Sequence, residues 1–283
     1  MEDKKERLIV NEKNVDCIKL ADRKYLKQLT SYDCNIESLG VLDITYLKQL
    51  MFYDCNIKNL DALVKLPLLK GLTFARCSFG TEDLQALCKA PSLTRLNLNE
   101  TSTKGIASLQ SVKSLKRLAL WNNIKDIKFE DLSALQGLHT LEIYNIHDKK
   151  QISSAFIKNL VNLRKLQLNH NILDNLDFLV KLPKLYKFCL LEPAKNEDGL
   201  MAVKDFTNLK EFIYPVKDLS IYKDCPGIKK IGIAPCVKSG FEALEGSQVN
   251  EFIICGSVSW QQVKKVAGYI EKYVKLECYG SQG

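Results

Sequence analysis

The sequence predicts an α/β solenoid, a stack of short repeats that each consist of a β-strand and a return segment. An apolar pattern recurs along most of the chain, and within each unit buried positions alternate with polar ones, as in a strand with one buried face. The first apolar residues of successive units run from Leu26 to Val249, which is 223 residues in ten steps, so the period is about 22 residues. The chain therefore contains eleven units.

The repeat has the form L-x-x-L-x-L-x-x-[N/C]-x-[I/L], and we number its positions one to eleven. It is clearest at 47–57, where Leu50 and Phe52 occupy positions four and six. A single unit cannot bury that face, whereas parallel stacking places positions four and six in a continuous interior. Position nine can fill the turn beneath the strand with a small buried thiol, as in Cys34, Cys55 and Cys77.

This motif resembles that of the leucine-rich-repeat family, specifically the short-repeat class that includes bacterial internalin-like proteins, and the resemblance covers nearly the whole chain. It implies a horseshoe with a parallel β-sheet on the concave face and short helical or 3₁₀ turns on the convex face. Segments such as 57–67 are expected to form these turns.

The two ends of the chain depart from the repeat, as the ends of a solenoid require. Val15, Ile18 and Leu20 repeat the strand half of the motif 11 residues before Leu26, which indicates a truncated first unit. Apolar residues recur at helical spacing within 258–273, and 274–278 has a strand-like pattern. We therefore divide the chain into an N-terminal tail and capping repeat at 1–25, eleven repeats at 26–257, and a C-terminal capping helix and strand at 258–283.

The composition is that of a globular protein, with 46% hydrophobic and 26% charged residues. No apolar run approaches the length of a membrane span, and Leu8–Val10 is too short for the core of a signal peptide. The ten cysteines show no clustered disulfide framework. We therefore expect a cytoplasmic protein that does not insert into membranes.

Motifs for catalysis and metal binding are absent from the sequence. His139, His147 and His170 do not have metal-ligand spacing, and no glycine-rich phosphate loop or nucleophile elbow occurs. Cys189 and His170 are one repeat apart on the predicted concave face, which we interpret as a chance proximity. We expect no metal, no cofactor and no enzymatic activity.

Positions three, five, seven and eight are predicted to face the concave side, where the partner of such a repeat protein would bind. Position seven is aromatic in four of the first six units, and exposed aromatics are frequent interface anchors. Alternatively, neighbouring aromatics simply stack on one another. The predicted partner-binding residues are Tyr32, Asp33, Tyr53, Asp54, Arg76, Glu100, Trp121, Asn122, Tyr144, His170, Leu191 and Ile213.

The C-terminal half of the same face is predicted to be largely apolar, at Cys189, Leu191, Ile213, Val216, Ala234 and Ile253. Three explanations remain open: an apolar ligand, a slip in the register of the repeats, or an oligomer contact, because exposed apolar patches usually mark interfaces.

Basic residues concentrate in positions two and three, with twelve basic residues against Glu211 and Glu251 in a chain of net charge +8. Position three contributes Arg95, Arg117, Lys165, Lys187 and Lys230. The resulting basic rim at position two consists of Lys27, Lys48, Lys70, Lys116, Arg164, Lys210 and Lys229. The rim either attracts acidic or phosphate-bearing ligands or only keeps the stack soluble.

The sequence therefore predicts a non-enzymatic module that binds a protein partner on its concave face, as an adaptor, an inhibitor or an immunity-type protein. The alternative is binding of nucleic acid or a phosphate ligand along the basic rim. Self-association through the apolar C-terminal half is a further expectation.

Overall fold

A computed structural model describes residues 6–11, 25–37, 44–79, 84–122, 127–144, 150–169, 171–197 and 199–270. The chain divides into two compact units, 1–140 and 141–283. Each unit consists of parallel strands, one per repeat, whose return segments contain 3₁₀ helices. The predicted repeat architecture is thereby confirmed.

The sheet of the first unit consists of parallel strands that are adjacent both in the sheet and along the chain. Each residue pairs with the equivalent residue of the next repeat, as Leu29 does with Leu50 and Leu50 with Leu72. The strands are β1 (Arg7–Val10), β2 (Gln28–Tyr32), β3 (Gln49–Tyr53), β4 (Gly71–Ala75), β5 (Arg95–Asn99) and β6 (Arg117–Trp121). A second small parallel sheet is formed by Asn35–Ile36, Asn56–Ile57 and Ser78–Phe79.

The sheet of the second unit follows the same order. Its strands are β7 (Thr140–Tyr144), β8 (Lys165–Asn169), β9 (Lys187–Leu190), β10 (Glu211–Ile213), β11 (Lys230–Ile233) and β12 (Glu251–Ile254). A short parallel pair is formed by Lys150–Ile152 and Asn171–Leu173. The register is maintained to the end of the sheet, where Ile231 pairs with Phe252, so no slip occurs in these strands.

The return segments contain short 3₁₀ helices, as predicted for 57–67, where the helix spans Asp61–Lys65. The others in the first unit are Leu84–Lys89, Ile106–Ser111 and Phe129–Ala134. Those in the second unit are Ser154–Asn159, Asp177–Lys181, Leu200–Asp205, Leu219–Tyr222 and Phe241–Leu244. In the described part of the chain, no helix is long and apolar enough to cross a membrane.

The ends of the chain are described only in part. The predicted capping helix begins at Trp260 and ends at Ala267 (α1), with Ser259 and Gln262 forming a capping box at its N-terminus. Strand β1 pairs in parallel with β2 and was not predicted from the sequence. The predicted strand at 274–278 and the truncated unit around Val15, Ile18 and Leu20 lie outside the described residues.

The core is formed by the positions that the motif predicts. Leu50 and Phe52 are 0% exposed, and Phe52 stacks on Phe74 of the next repeat with ring centroids 5.6 Å apart. Phe188 and Phe212 stack in the same way in the second unit, at 5.5 Å. Because each side chain packs against its equivalent in the next repeat, the interior is continuous along each unit.

The cysteines at position nine are buried, as predicted, and they also donate hydrogen bonds. The thiols of Cys34, Cys55 and Cys77 are directed at the carbonyl oxygens of position seven in their own repeats, at 3.0, 3.2 and 3.4 Å. The hydrogen bond with Cys77 and burial raise the pKa of the Cys55 thiol. These thiols therefore satisfy backbone acceptors at the end of each strand.

Replacement of Phe188 by alanine is expected to lower the free energy of unfolding by about 3–5 kcal/mol, because it removes a fully buried ring from the ladder. The matched control is Tyr186→Ala, two residues earlier, where the side chain is 51% exposed and the expected change is within about 0.5 kcal/mol. Urea denaturation followed by circular dichroism measures both. Equal effects would contradict the assignment of these two positions to the core and the surface.

Glycine is required at position 240 for two reasons. Gly240 has a φ of +77°, and a Cβ atom there would lie 2.1 Å from Asp218 Oδ1 and 2.4 Å from Ser220 N. Asp218 caps the 3₁₀ helix Leu219–Tyr222 by accepting a hydrogen bond from Ser220 N. Gly246 has a similar φ of +71° with open space around it.

We therefore expect Gly240→Ala to be more destabilising than Gly246→Ala. Gly246→Ala should lower the free energy of unfolding by about 1–2 kcal/mol, because alanine disfavours the left-handed backbone conformation at this position. Gly240→Ala should lower it by about 1–2 kcal/mol more, because the new methyl group also displaces the Asp218 cap of the 3₁₀ helix. Thermal unfolding of the two variants in parallel checks this order, and an equal loss would show that the contact with Asp218 is unimportant.

Candidate functional site

Side chains at positions three, five and seven point away from the core, to the side of each sheet that we call the open face. In β3, Leu50 and Phe52 are buried, whereas Gln49, Met51 and Tyr53 are only partly buried. The predicted orientation of positions four and six is therefore confirmed. The open face is the surface on which the sequence places the candidate site.

The open face of the first unit carries one row of aligned side chains at position seven. The pairing of the strands places Tyr32 beside Tyr53, and continues the row to Trp121 through Ala75 and Asn99. Tyr32 is 36% and Trp121 38% exposed, so each presents part of its aromatic surface to solvent. The row therefore presents aromatic surface at both of its ends.

The two tyrosines at one end of this row stack, with ring centroids 4.9 Å apart and ring planes inclined by 15°. The predicted stacking is thus present, and Tyr32 remains 36% exposed within it. Burial raises the pKa of the Tyr53 hydroxyl. Like any tyrosine hydroxyl, it is protonated at neutral pH and can donate a hydrogen bond. Stacking pre-orders the pair, which lowers the entropy that a partner must overcome to bind it.

Position eight borders the aromatic row and has left-handed backbone geometry. The φ angles lie between 47° and 56° at Asp33, Asp54, Arg76, Glu100 and Asn122. The amides of the first four donate to the position-seven carbonyls of the next repeat, as Asp54 N does to Ala75 O at 2.9 Å. This hydrogen bond extends the sheet by one residue and compensates for the strained conformation.

The position-eight side chains also connect neighbouring repeats. Arg76 donates two hydrogen bonds to the Asp54 carboxylate, at 2.6 and 2.7 Å, and Asn122 Nδ2 donates one to Glu100 Oε1 at 3.1 Å. The Arg76 guanidinium lowers the pKa of Asp54 by donating hydrogen bonds to its carboxylate. The members of this pair are about half exposed, so the border of the aromatic row is polar and ordered.

Two asparagine side chains lie between the aromatic ends of the open face. Asn97 Nδ2 donates to Thr73 Oγ1 at 3.1 Å. The side-chain oxygens of Asn97 and Asn99 accept no hydrogen bond from the described part of the chain. Both oxygens are buried, so the structure does not present them to a partner, and leaving each of them unpaired costs about 1–3 kcal/mol.

The predicted site residues of the second unit are less accessible. Tyr144 is half-buried and its hydroxyl donates to Gln167 Oε1 at 3.1 Å. His170 lies outside the described residues. Leu191 is partly buried, and Ile213 is only 1% exposed, so the prediction that Ile213 contacts a partner is wrong.

The expected apolar patch on this open face is a buried cluster. Its members are Cys189, Ile213, Ala234, Ile253 and Cys255, none more than 8% exposed. Gly232 creates the space for it, because a Cβ atom there would lie 2.9 Å from Ile213 Cγ2 and 3.2 Å from Cys255 Sγ. Val216, at 2% exposure, is also buried. The prediction of an exposed apolar surface for self-association is therefore wrong for these residues.

Burial also decides the chemistry of Cys189. It raises the pKa of this thiol to about 11, and the Cys189 side chain is 0% exposed. A nucleophilic cysteine requires an accessible thiolate. Cys189 is therefore a packing residue.

The basic columns at positions two and three are present, but within the described residues four of their charges are neutralised by salt bridges. At position two, Lys27 pairs with Glu6; at position three, Lys165 pairs with Glu142 at 2.6 Å and Lys187 with Glu211 at 2.7 Å. Lys230 pairs with Glu251 at 3.5 Å. Exposed cations remain at position two, in Lys48, Lys70, Arg164 and Lys229. Lys116 and Lys210 are partly buried.

Sequence reasoning missed exposed aromatics that lie outside the predicted columns. Tyr25 and Tyr46, 56% and 52% exposed, stack at 6.4 Å one residue before position one. Tyr186 occupies position two, where most repeats have a basic residue, and is 51% exposed. A tyrosine in an otherwise basic, solvent-exposed column was the sequence feature from which the exposure of Tyr186 could have been predicted.

Comparison with solved structures identifies similar folds. An internalin from Listeria monocytogenes superposes with a TM-score of 0.57 and 17% identity, over 98% of this chain and 87% of that chain. A leucine-rich-repeat protein from Leptospira interrogans superposes with a TM-score of 0.58 and 14% identity, over 94% of this chain and 76% of that chain. A plant peptide hormone receptor, RGFR1 in complex with RGF2, superposes with a TM-score of 0.51 and 11% identity, over 96% of this chain and 49% of that chain.

Sequence comparisons give no such relation: no family model matches the chain, and no curated protein is similar to it. At identities below 25%, the structural matches establish the fold alone. Together with the repeat motif and the parallel strands, they show that the chain has the leucine-rich-repeat fold of the internalin type.

Proposed function

We propose that this chain is a protein-binding module that holds its partner on the open face of the first unit. The observation that carries the proposal is the row of aligned position-seven side chains with exposed aromatics at both ends, Tyr32 with Tyr53 and Trp121. Aromatic anchors supply large contact areas and dominate the energetics of many protein interfaces.

The surroundings of this row support the same function. Asp54 and Arg76 form an ordered polar border beside the aromatic row. Apolar anchors within a polar rim are typical of protein interfaces. The plant receptor of similar fold is in complex with RGF2, so the fold can carry such a surface.

The proposed role is non-enzymatic, as an adaptor, an inhibitor or an immunity-type protein. In the described residues the open face offers aromatic, amide and paired charged groups rather than an activated nucleophile. We also propose a cytoplasmic location. The eight cysteines that the structure describes are free thiols, as expected in a reducing compartment.

The alternative of a phosphate-bearing ligand on the basic rim is favoured by one observation. In the second unit, part of the rim forms a groove in which some cations form no salt bridge with the described residues.

The double variant Tyr53→Ala, Trp121→Ala tests the proposed face. Affinity capture from the source cells, followed by mass spectrometry, identifies a partner, and calorimetry with the purified partner measures its affinity. Because interface aromatics commonly contribute about 2 kcal/mol or more, we expect the affinity to fall by at least about 30-fold.

The control is Tyr25→Ala, Tyr46→Ala, which removes a stacked pair of aromatics, 56% and 52% exposed, outside the open face. This control should bind within about threefold of the unmodified chain, since surface substitutions outside an interface have small effects. If the control loses affinity and the Tyr53, Trp121 variant retains it, the partner uses another surface and the proposed face is refuted.

A further inference from the structure

A groove in the second unit lies at the edge where strands β8, β9 and β10 begin. Its volume is about 710 Å³, within the range of sites that hold nucleotide-sized ligands. The lining combines one exposed aromatic ring with basic side chains from three successive repeats: Arg164, Lys165, Lys184, Tyr186, Lys187, Asn208, Lys210 and Glu211. This surface is separate from the open face of the first unit.

The cations of this groove fall into two groups. Lys165 and Lys187 form salt bridges with Glu142 and Glu211, so their charges are matched. Arg164, Lys184 and Lys210 form no salt bridge within the described part of the chain. Five cations and two carboxylates leave a net charge of +3, concentrated on these three side chains.

The unmatched cations are arranged around Tyr186. Position two of successive repeats carries Arg164, Tyr186 and Lys210, and the amides of Tyr186 and Lys210 bond to the carbonyl oxygens of Arg164 and Tyr186, at 2.7 and 2.8 Å. Adjacent parallel strands are about 4.8 Å apart, so Arg164 and Lys210 are the position-two neighbours of Tyr186 in the repeats on its two sides. Lys184 Nζ is held by Asn162 Oδ1 at 2.7 Å.

This combination favours nucleic acid over an acidic protein segment. Lysine is depleted in protein interfaces. Cations that track a phosphate backbone, together with an exposed ring on which a base can stack, are the components of single-strand binding sites. The line of position-two residues continues beyond the groove with the exposed Lys229, which suits a polymer better than a single nucleotide.

We infer that the groove binds single-stranded nucleic acid, with phosphates on Arg164, Lys184 and Lys210 and one base stacked on Tyr186. The ligand phosphates replace the missing carboxylates as counter-charges. Affinity comes from the backbone and from stacking, so the site accepts different base sequences.

Fluorescence anisotropy with a labelled 12-nucleotide oligothymidylate tests this inference. At about 20 mM salt we expect micromolar affinity, and three phosphate contacts should give a slope of about −2 for log K against log salt concentration. The triple variant Arg164→Gln, Lys184→Gln, Lys210→Gln should lose most of the binding. Tyr186→Ala should weaken it about tenfold, and Tyr186→Phe should retain it, because stacking requires only the ring.

The control is Lys48→Gln, Lys70→Gln, Lys113→Gln, which removes the same charge from exposed lysines of the first unit. Circular dichroism shows whether each variant is folded. The inference requires that this control binds the oligonucleotide like the unmodified chain. It is overturned if the unmodified chain does not bind, if the two triple variants lose affinity equally, or if labelled poly-glutamate binds the groove as tightly as the oligonucleotide.

Discussion

The structure depends on one constraint: each repeat must pair with the next in parallel and without offset. The carbonyl oxygen of Lys27 accepts hydrogen bonds from the amides of Lys48 and Gln49, and Lys48 O serves the next repeat in the same way. A single repeat cannot pair these backbone groups or bury its apolar face without a neighbouring repeat. Because the pairing is fixed, every motif position becomes a column of equivalent side chains, and the surface chemistry is organised in columns.

Stacking makes those columns interact. The same alignment that builds the Phe52–Phe74 ladder in the core brings Tyr32 onto Tyr53 on the open face, and it joins Arg76 to Asp54 beside them. Ion pairs such as Lys187 with Glu211 arise likewise between adjacent repeats. The basic or acidic residues counted in one column therefore do not give the charge that is available to attract a ligand, because partners in neighbouring repeats neutralise part of it.

The sequence was sufficient to predict the fold, the strand positions and the buried thiols, because these follow from a period repeated many times. It predicted the position-seven column correctly, but not the exposure within it. Ile213 occupies an outward-facing position and is nevertheless buried, because Gly232 leaves space into which it packs. Likewise, the net charge of the groove around Tyr186 depends on which of its cations form salt bridges with a carboxylate. Such features arise from pairs of side chains in different repeats, which a motif read along the chain does not specify.

The left-handed backbone at position eight limits how this surface can evolve. Asp33, Asp54, Arg76, Glu100 and Asn122 all lack branching at Cβ, and β-branched side chains strongly disfavour that conformation. Acidic, basic and amide side chains are thus interchangeable there at little cost to folding, whereas valine, isoleucine and threonine are excluded. The border of the open face can therefore acquire a new charge pattern, and with it a new specificity, through single substitutions that leave the repeat intact.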